Sequence, residues 1–335
     1  MDHLVVFCAR AASPFAGQVG QRLEVDGVAV SCGLVGAPMP HFDPASPAHR
    51  EAMLLRVRAF SCNYRDKAFV RSLIGSEFVA DVVAAGRDVS SLVVGDRVVS
   101  ARKVRRIPSS MPDDVAATFS LNAQTAYSML RRLELRPGSN VMVTSAVSNA
   151  SLATLAALRA HDVRVYAATS SARWVDRLRA IGAEDVLVVE RNLAGFRDAA
   201  HVGEFAAALG GFDYVIDPFF DLHIEKAVEI MNPFGCYITC GLVGQNEFAA
   251  ESAGVATRAP SANLLLGQMM LKNLTLIGNC IGLSSDLDAA VRDYERGSFR
   301  PPLDAVFSGD QAAGFLGRTF NDPDRFGKVA FCYEH

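Results

Sequence analysis

Cysteine is scarce and follows no pairing pattern. The seven (Cys8, Cys32, Cys62, Cys236, Cys240, Cys280, Cys332) are odd in number and scattered, with no Cys-x-x-Cys among them. That argues against a disulfide framework and against a thiolate zinc knot. Cys236 and Cys240 are four apart, but Tyr237-Ile-Thr between them reads as a buried strand, so both are expected in the core rather than on a metal. An excess of one charge is also lacking: 33 Lys and Arg against 36 Asp and Glu give a formal net charge of −3. Such a balance supplies no electrostatic drive toward nucleic acid or an anionic membrane surface. No apolar run reaches the roughly 18 residues of a membrane span. Met1 to Arg10 lack the basic start and long apolar core of a signal peptide, so a cytoplasmic location is expected. Internal repeats and low-complexity tracts are absent as well.

What is present is apolar substance: half of the 335 residues are hydrophobic, more than one core usually absorbs, so two domains are expected. The chain is organised around Val141–Ala160. A short β-branched run (Val141, Val143, Thr144) ends in small polar residues, and an Ala/Leu-rich helix carrying Leu152, Leu155, Ala156 and Leu158 follows. The next apolar run, Val163–Thr169, completes a βαβ unit whose helix N-terminus faces the strand ends, where anions bind. Glycine is missing from the one turn that would use it. Ser145, Ser148 and Ser151 stand three apart, with Ala146, Asn149 and Ala150 among them. Serine is the next-smallest residue that carries a donor of its own, and Asn149 tolerates left-handed backbone better than most.

Taken in order, the first hundred residues give short strands and turns: Leu4–Phe7, Leu23–Val25, Val28–Val30, Met53–Phe60 and Phe78–Ala85. The Gly36–Pro47 loop is too proline-rich for a helix or a central strand. This predicts an irregular, mainly β domain over 1–122. Arg102, Lys103, Arg105 and Arg106 form a basic cluster, read either as a solvated loop or as a seat for an anionic group on a substrate or carrier. A helix over 123–133 links to an alternation of strands (141–144, 163–169, 185–189, 213–217, 236–240, 273–279) and helices (149–160, 171–181, 200–209, 222–231). That pattern predicts a doubly wound parallel sheet, a Rossmann domain over 123–282. Gly182 and Gly235 are placed as helix C-caps. A helix over 286–297 and strands at Asp304–Phe307 and Lys328–Cys332 make a return to the first domain over 283–335. The apolar strand Asn273–Gly278 lies at a sheet edge, an aggregation liability unless paired.

Several short segments recur in a family's order: Asn63-Tyr-Arg-Asp66, Gly75-Ser-Glu77, Gly95-Asp-Arg-Val98, Gln124-Thr-Ala126, Pro137-Gly138, Leu178–Ala183, Val215-Ile-Asp217, Gly241 and Gly327-Lys-Val329. Together they resemble the medium-chain dehydrogenase/reductase superfamily, most closely its zinc-free quinone reductase and enoyl reductase branch. The resemblance implies an α/β architecture, a Rossmann doubly wound parallel sheet plus an irregular mainly β (GroES-like) catalytic domain. It also places Asn63, Ser76 and Leu121 where zinc-dependent members carry ligands, with Cys62 one residue off register, so no catalytic zinc is expected. Without that Lewis acid, alcohol oxidation is disfavoured. The implied activity is hydride transfer from NADPH to an activated C=C bond (an enone or enoyl thioester) or to a quinone, in specialised biosynthesis.

Asn63, Tyr64 and Asp66 occupy the implied substrate-side motif. Tyr64 reads either as a packing residue or as a proton donor, and Asp66 either as a structural partner or as a catalytic group. The implied coenzyme residues are Thr125 beside the nicotinamide, the turn Ser145, Ala146, Ser148, Asn149 and Ala150, then Gly241, Leu242 and Val243, and Asn279. At the second strand's end Thr169-Ser-Ser-Ala-Arg173 replaces the acid of NAD-specific folds. Ser170 and Arg173 therefore suit a 2′-phosphate, or else form a helix cap followed by a surface arginine. The basic cluster would meet an acyl carrier or CoA. Relatives pair the edge strand across a two-fold axis, so a homodimer is expected. His41 and His49 read as solvated loop residues. The competing reading is a non-redox enzyme (isomerase, lyase or cyclase) or a ligand-binding protein that keeps the fold without NADPH.

Overall fold

The computed structural model describes residues 3–9, 20–25, 27–69, 72–100, 104–190, 196, 199–243 and 261–333. The chain divides into two compact units, Met1–Leu121 with Leu303–His335, and Asn122–Pro302.

The first unit opens with β1 (His3–Ala9), β2 (Gln21–Val25), β3 (Val28–Ala37), β4 (Met53–Ser61), β5 (Ser72–Leu73), β6 (Glu77–Ala85), β7 (Arg97–Ser100) and β8 (Val104–Arg106). A short α1 (Asp113–Ala116) leads to α2 (Ser120–Leu133). In the second unit follow β9 (Asn140–Val143), α3 (Asn149–Leu158), β10 (Arg164–Thr169), α4 (Val175–Ala180), β11 (Asp185–Val188), α5 (Ala200–Leu209), β12 (Phe212–Asp217), α6 (Phe220–Ile230), β13 (Met231–Thr239), α7 (Ala262–Lys272), β14 (Thr275–Gly278) and α8 (Ser284–Glu295). The chain then returns through β15 (Leu303–Ser308), α9 (Ala312–Phe320) and β16 (Lys328–Cys332).

The second unit is the doubly wound sheet that the alternation predicts. Its six strands run parallel in the order β11-β10-β9-β12-β13-β14. That is the 3-2-1-4-5-6 order in which the order of strand addition reverses between the first and fourth strands, opening a crevice at their carboxyl ends. Strands covered on both faces need apolar side chains throughout, and all four residues of β9 are buried. Helix α3 is apolar all round, with Ser151 to Leu158 buried without a break.

The first unit holds two sheets. One is antiparallel, β2-β3-β1-β5, and the other runs β15-β16-β4-β6-β7-β8, parallel only between β15 and β16. Phe60, Phe315 and Phe331 meet in their core, with Phe60 and Phe315 edge-on at 5.2 Å.

Three expectations change. Residues 283–302 belong to the second unit, because α8 is tied to α2 through Arg131 on Asp286 (2.7 Å) and Tyr127 on Asp293 (2.8 Å). Gly235 is no helix cap. It lies inside β13 just after Phe234 at φ 62°, and a Cβ there would come within 2.9 Å of Asn232 O and 3.0 Å of Asp213 O. The carbonyls ending α6 are met instead by Lys272 Nζ, which donates to Val228 O (2.9 Å), Glu229 O (2.6 Å) and Met231 O (3.0 Å). Helices α7 and α9 also stand where no helix is expected from the sequence. Their glycines, Gly267, Gly314 and Gly317, blur the helical pattern, yet a Cβ at Gly267 would meet nothing within 4 Å. Gly182 does take left-handed backbone, φ 118°, just after α4.

Candidate functional site

The candidate coenzyme turn sits at the carboxyl end of β9. Ser145 adopts φ 43°, the left-handed backbone for which glycine is the usual choice, and Ala146 is completely buried with its amide on Ala168 O at 2.8 Å. Ser148 is the N-cap of α3: its Oγ accepts from the Ser151 amide at 3.2 Å and donates to Ser151 Oγ at 3.0 Å. Ser151 Oγ in turn donates to Thr144 O at 2.9 Å, stitching the helix to the strand it follows. The hydroxyls of Ser148 and Ser151 are thus directed to protein atoms. What the turn presents to an anion is backbone, in the half-exposed residues Val147, Asn149 and Ala150 at the helix N-terminus.

At the end of β10, Ser170 is exposed, and Arg173 donates from Nε to Ser171 Oγ at 3.0 Å. The Arg173 and Arg177 guanidinium groups each lie 5.5 Å from the centroid of Trp174. Arg177 and Trp174 are not singled out from the sequence; Arg177 lies three positions after Trp174 and four after Arg173, and both guanidinium groups meet the Trp174 ring. At the end of β13, Gly241 O accepts from the Phe220 amide at 3.0 Å and the Val243 amide donates to Asp221 Oδ1 at 2.8 Å, while Leu242 is exposed. Thr125 is buried on α2. Asn279, just past β14, accepts through Oδ1 from Ser128 Oγ (2.9 Å) and Arg132 Nη1 (3.0 Å) and donates to Ile281 O (3.3 Å). Its amide is therefore an anchor within the unit.

Asp217, at the end of β12, stands in the Val215-Ile-Asp217 motif, to which the sequence assigns no role at the site. It is wholly buried and collects Thr144 Oγ1 (2.7 Å), the Phe219 amide (2.8 Å) and His223 Nδ1 (2.8 Å) on Oδ1, with the Tyr237 hydroxyl on Oδ2 at 2.5 Å. Burial works against its charge, but the neighbouring His223, the Tyr237 hydroxyl and the Phe219 amide outweigh it and hold the carboxyl below the usual range.

In the first unit, Asn63, Tyr64 and Asp66 open a 3-10 turn, Tyr64–Phe69. Asp66 Oδ2 accepts from the Asn63 amide (2.5 Å) and from Ser76 Oγ (2.7 Å). Asn63 Nδ2 donates to Ser76 Oγ at 3.1 Å, and Asn63 Oδ1 accepts from Lys328 Nζ at 2.8 Å. Beneath them Glu77, entirely buried, takes Lys328 Nζ at 2.7 Å, Ser61 Oγ at 3.1 Å, Ser120 Oγ at 3.1 Å and the Leu121 amide at 2.6 Å. Tyr64 is half-buried with Lys67 Nζ 5.4 Å from its ring centroid.

A tetrahedral zinc centre needs thiolate or imidazole ligands. At these positions stand an amide and a hydroxyl bonded to each other, and Leu121 has no ligating side chain, so the residues do not fit zinc. Among the described residues no group of three or more His, Cys, Asp or Glu is arranged to hold a metal ion. Burial pushes the Cys62 thiol well up and Cys240 to about 12, so neither is a ready thiolate; Cys280, by contrast, is exposed. Arg106 is exposed and paired with Asp96 Oδ2 at 2.6 Å, Arg105 is half-buried on β8, and Arg102 and Lys103 lie outside the described residues.

No family model matches the chain. It is 29% identical over 244 residues to the polyketide synthase GfsB of Streptomyces halstedii, and 25% identical over 289 residues to the mycoketide-CoA synthase of Mycobacterium tuberculosis. These alignments cover 66% and 77% of the chain but only 4% and 7% of those proteins. Among solved structures, AibC aligns with TM-score 0.77 at 20% identity, covering 100% of this chain and 97% of AibC. A mycobacterial quinone oxidoreductase aligns with TM-score 0.73 at 18% identity, covering 99% and 100% of the two chains. The CurK enoyl reductase aligns with TM-score 0.67 at 18% identity, covering 90% and 95%. At such identities the structures establish the fold. Among the described residues no helix is long and apolar enough to cross a membrane.

Proposed function

We propose that this chain, which carries the medium-chain dehydrogenase/reductase fold, is a reductase that uses NADPH to reduce an activated C=C bond (an enone or enoyl thioester) or a quinone, without zinc, in a specialised biosynthetic pathway. The observation that carries this reading is the strand–turn–helix at the switch point of a 3-2-1-4-5-6 sheet, with Ser145 in left-handed backbone and the N-terminus of α3 directed to the crevice. Similarity to polyketide synthases supports a thioester substrate on an acyl carrier or CoA.

The residues fit NADPH. Backbone of Val147, Asn149 and Ala150 would meet the pyrophosphate, Ser170, Ser171, Arg173 and Arg177 the 2′-phosphate, and Trp174 offers an aromatic face. NADPH supplies the hydride when bound; the chain orients it and provides the proton. For the proton we assign Tyr64, over whose ring the Lys67 ammonium lies 5.4 Å from the centroid. Asn63 and Asp66 hold that turn through their mutual bonds. Gly241, Leu242, Val243 and Thr125 line the nicotinamide end in this reading. A second copy of the chain would cover β14, an edge strand with Leu276 exposed, giving a cytoplasmic homodimer.

One observation favours the second reading, a fold-sharing protein without coenzyme: the hydroxyls of Ser148 and Ser151 are directed to protein atoms instead of outward. Thermal shift with NADPH separates the two. A rise in Tm at saturation, weakened more for NADPH than for NADH by Arg173→Ala, is expected. An unchanged Tm overturns the redox reading, and equal weakening overturns the 2′-phosphate assignment.

A further inference from the structure

The reversal of chain order between β9 and β12 opens a crevice, and one side-chain hydrogen bond crosses its floor. Thr144 follows β9 and Asp217 ends β12; Thr144 Oγ1 donates to Asp217 Oδ1 at 2.7 Å, and both residues are wholly buried. Thr144 is fixed from three sides. Its amide donates to Ile216 O at 3.0 Å, its carbonyl accepts from Ser151 Oγ at 2.9 Å, and its hydroxyl is on Asp217. The left-handed Ser145 comes next, so Thr144 is the post from which the coenzyme turn hangs.

A buried carboxylate persists only with compensating donors or charge. Three other ionisable groups face Asp217. Tyr237 on β13 and Cys240 just beyond it are pushed up, first by burial and then by Asp217 itself, and so stay neutral. The third is His223 in the first turn of α6, buried, with Nδ1 on Asp217 at 2.8 Å and its ring edge-on to Phe196 at 5.0 Å. It is the neighbour that most favours the charged form of Asp217. A carboxylate held charged in this way keeps a strong grip on Thr144, because a charged acceptor bonds a hydroxyl more tightly than a neutral one.

We propose that Asp217 and His223 are positioning residues for the coenzyme turn: the paired carboxylate holds Thr144, and Thr144 sets the backbone that receives the coenzyme. This rests on the reading above for its ligand but not for its mechanics. A polar knot that merely stabilises the core would lower Tm without singling out the turn.

Amide hydrogen exchange on the protein without coenzyme makes that distinction. Thr144→Val removes the donor and is expected to speed exchange in the peptide spanning 145–152 about tenfold while the β10 peptide, 164–169, is unchanged. NADPH, followed by fluorescence, should bind this variant about tenfold more weakly, and Thr144→Ser should restore both properties. His223→Gln tests the pairing. This variant should likewise speed exchange at 145–152 with 164–169 unchanged, and should bind NADPH several-fold more weakly. Unchanged exchange at 145–152 in Thr144→Val, or a uniform acceleration across the unit, overturns the proposal. Unchanged exchange at 145–152 in His223→Gln overturns the role of His223. If the unsubstituted protein does not bind NADPH yet the exchange pattern holds, the coenzyme reading falls and the positioning of the turn stands.

Discussion

Among the described residues each unit buries one carboxylate completely, Glu77 in the first and Asp217 in the second, and the two are served differently. Glu77 in the first unit is paired with Lys328 and is further held by Ser61, Ser120 and the Leu121 amide at the head of α2. Asp217 in the second unit has a histidine in that place. The first arrangement joins β4, β6, β16 and the start of α2, so it acts as scaffold. The second lies at the crevice where a ligand would bind. Pairing with lysine here serves the scaffold; pairing with histidine serves the geometry of a site.

The sharpest way to break this comparison is to remove the lysine. Lys328→Met leaves Glu77 buried without its cation, and losing one partner of such a pair typically costs about 4 kcal/mol. Denaturant unfolding should show a loss of that order, with the Glu77→Gln, Lys328→Met double variant recovering part of it. A single variant within about 1 kcal/mol of the unsubstituted protein would mean that the serines and the Leu121 amide suffice.

Asp217→Asn should have the smaller effect, about 2 kcal/mol at neutral pH, because the amide keeps the shape and most hydrogen bonds and loses only the charge. The dependence on acid gives the sign. The folded carboxyl lies below its unfolded value, so its contribution is complete above the unfolded value and is lost as pH falls through the folded one. The gap between the two proteins should therefore be constant above about pH 5 and close below about pH 4. A gap that instead widens on acidification would show that Asp217 is not ionised in the folded protein.

The contrast between the two carboxylates also marks what the sequence could reveal. The βαβ alternation was legible because buried parallel strands demand continuous apolar runs, and β9, β10 and β12 supply them. The Rossmann turn was legible by its place between β9 and α3, in spite of its missing glycines. Partnerships across long stretches were not. Glu77 and Lys328 are 251 residues apart, and nothing local to either predicts the bond. Asp217 belonged to a quoted motif, Val215-Ile-Asp217, but its grip on Thr144, 73 residues earlier, exists only once β9 and β12 are neighbours. Hydroxyl direction was equally hidden: Ser148 and Ser151 have the spacing of a phosphate cradle and the bonds of a helix cap.

That last point allows the finest test, since it concerns a single oxygen. Ser148 Oγ caps the Ser151 amide and donates to Ser151 Oγ, so replacing it with glycine removes a cap but no outward-facing donor. Glycine is itself acceptable at an N-cap, and the expected loss of stability is a few tenths of a kcal/mol, about the smallest change that unfolding curves resolve. Glycine also opens the backbone at a position that faces the ligand. NADPH affinity of Ser148→Gly should thus stay within about twofold of the unsubstituted protein, or improve slightly. A loss of tenfold or more, about 1.4 kcal/mol, would show that the hydroxyl turns outward to a phosphate when coenzyme arrives. The serines would then be ligands as well as caps, and the turn would have to break its bond to Ser151 in order to bind.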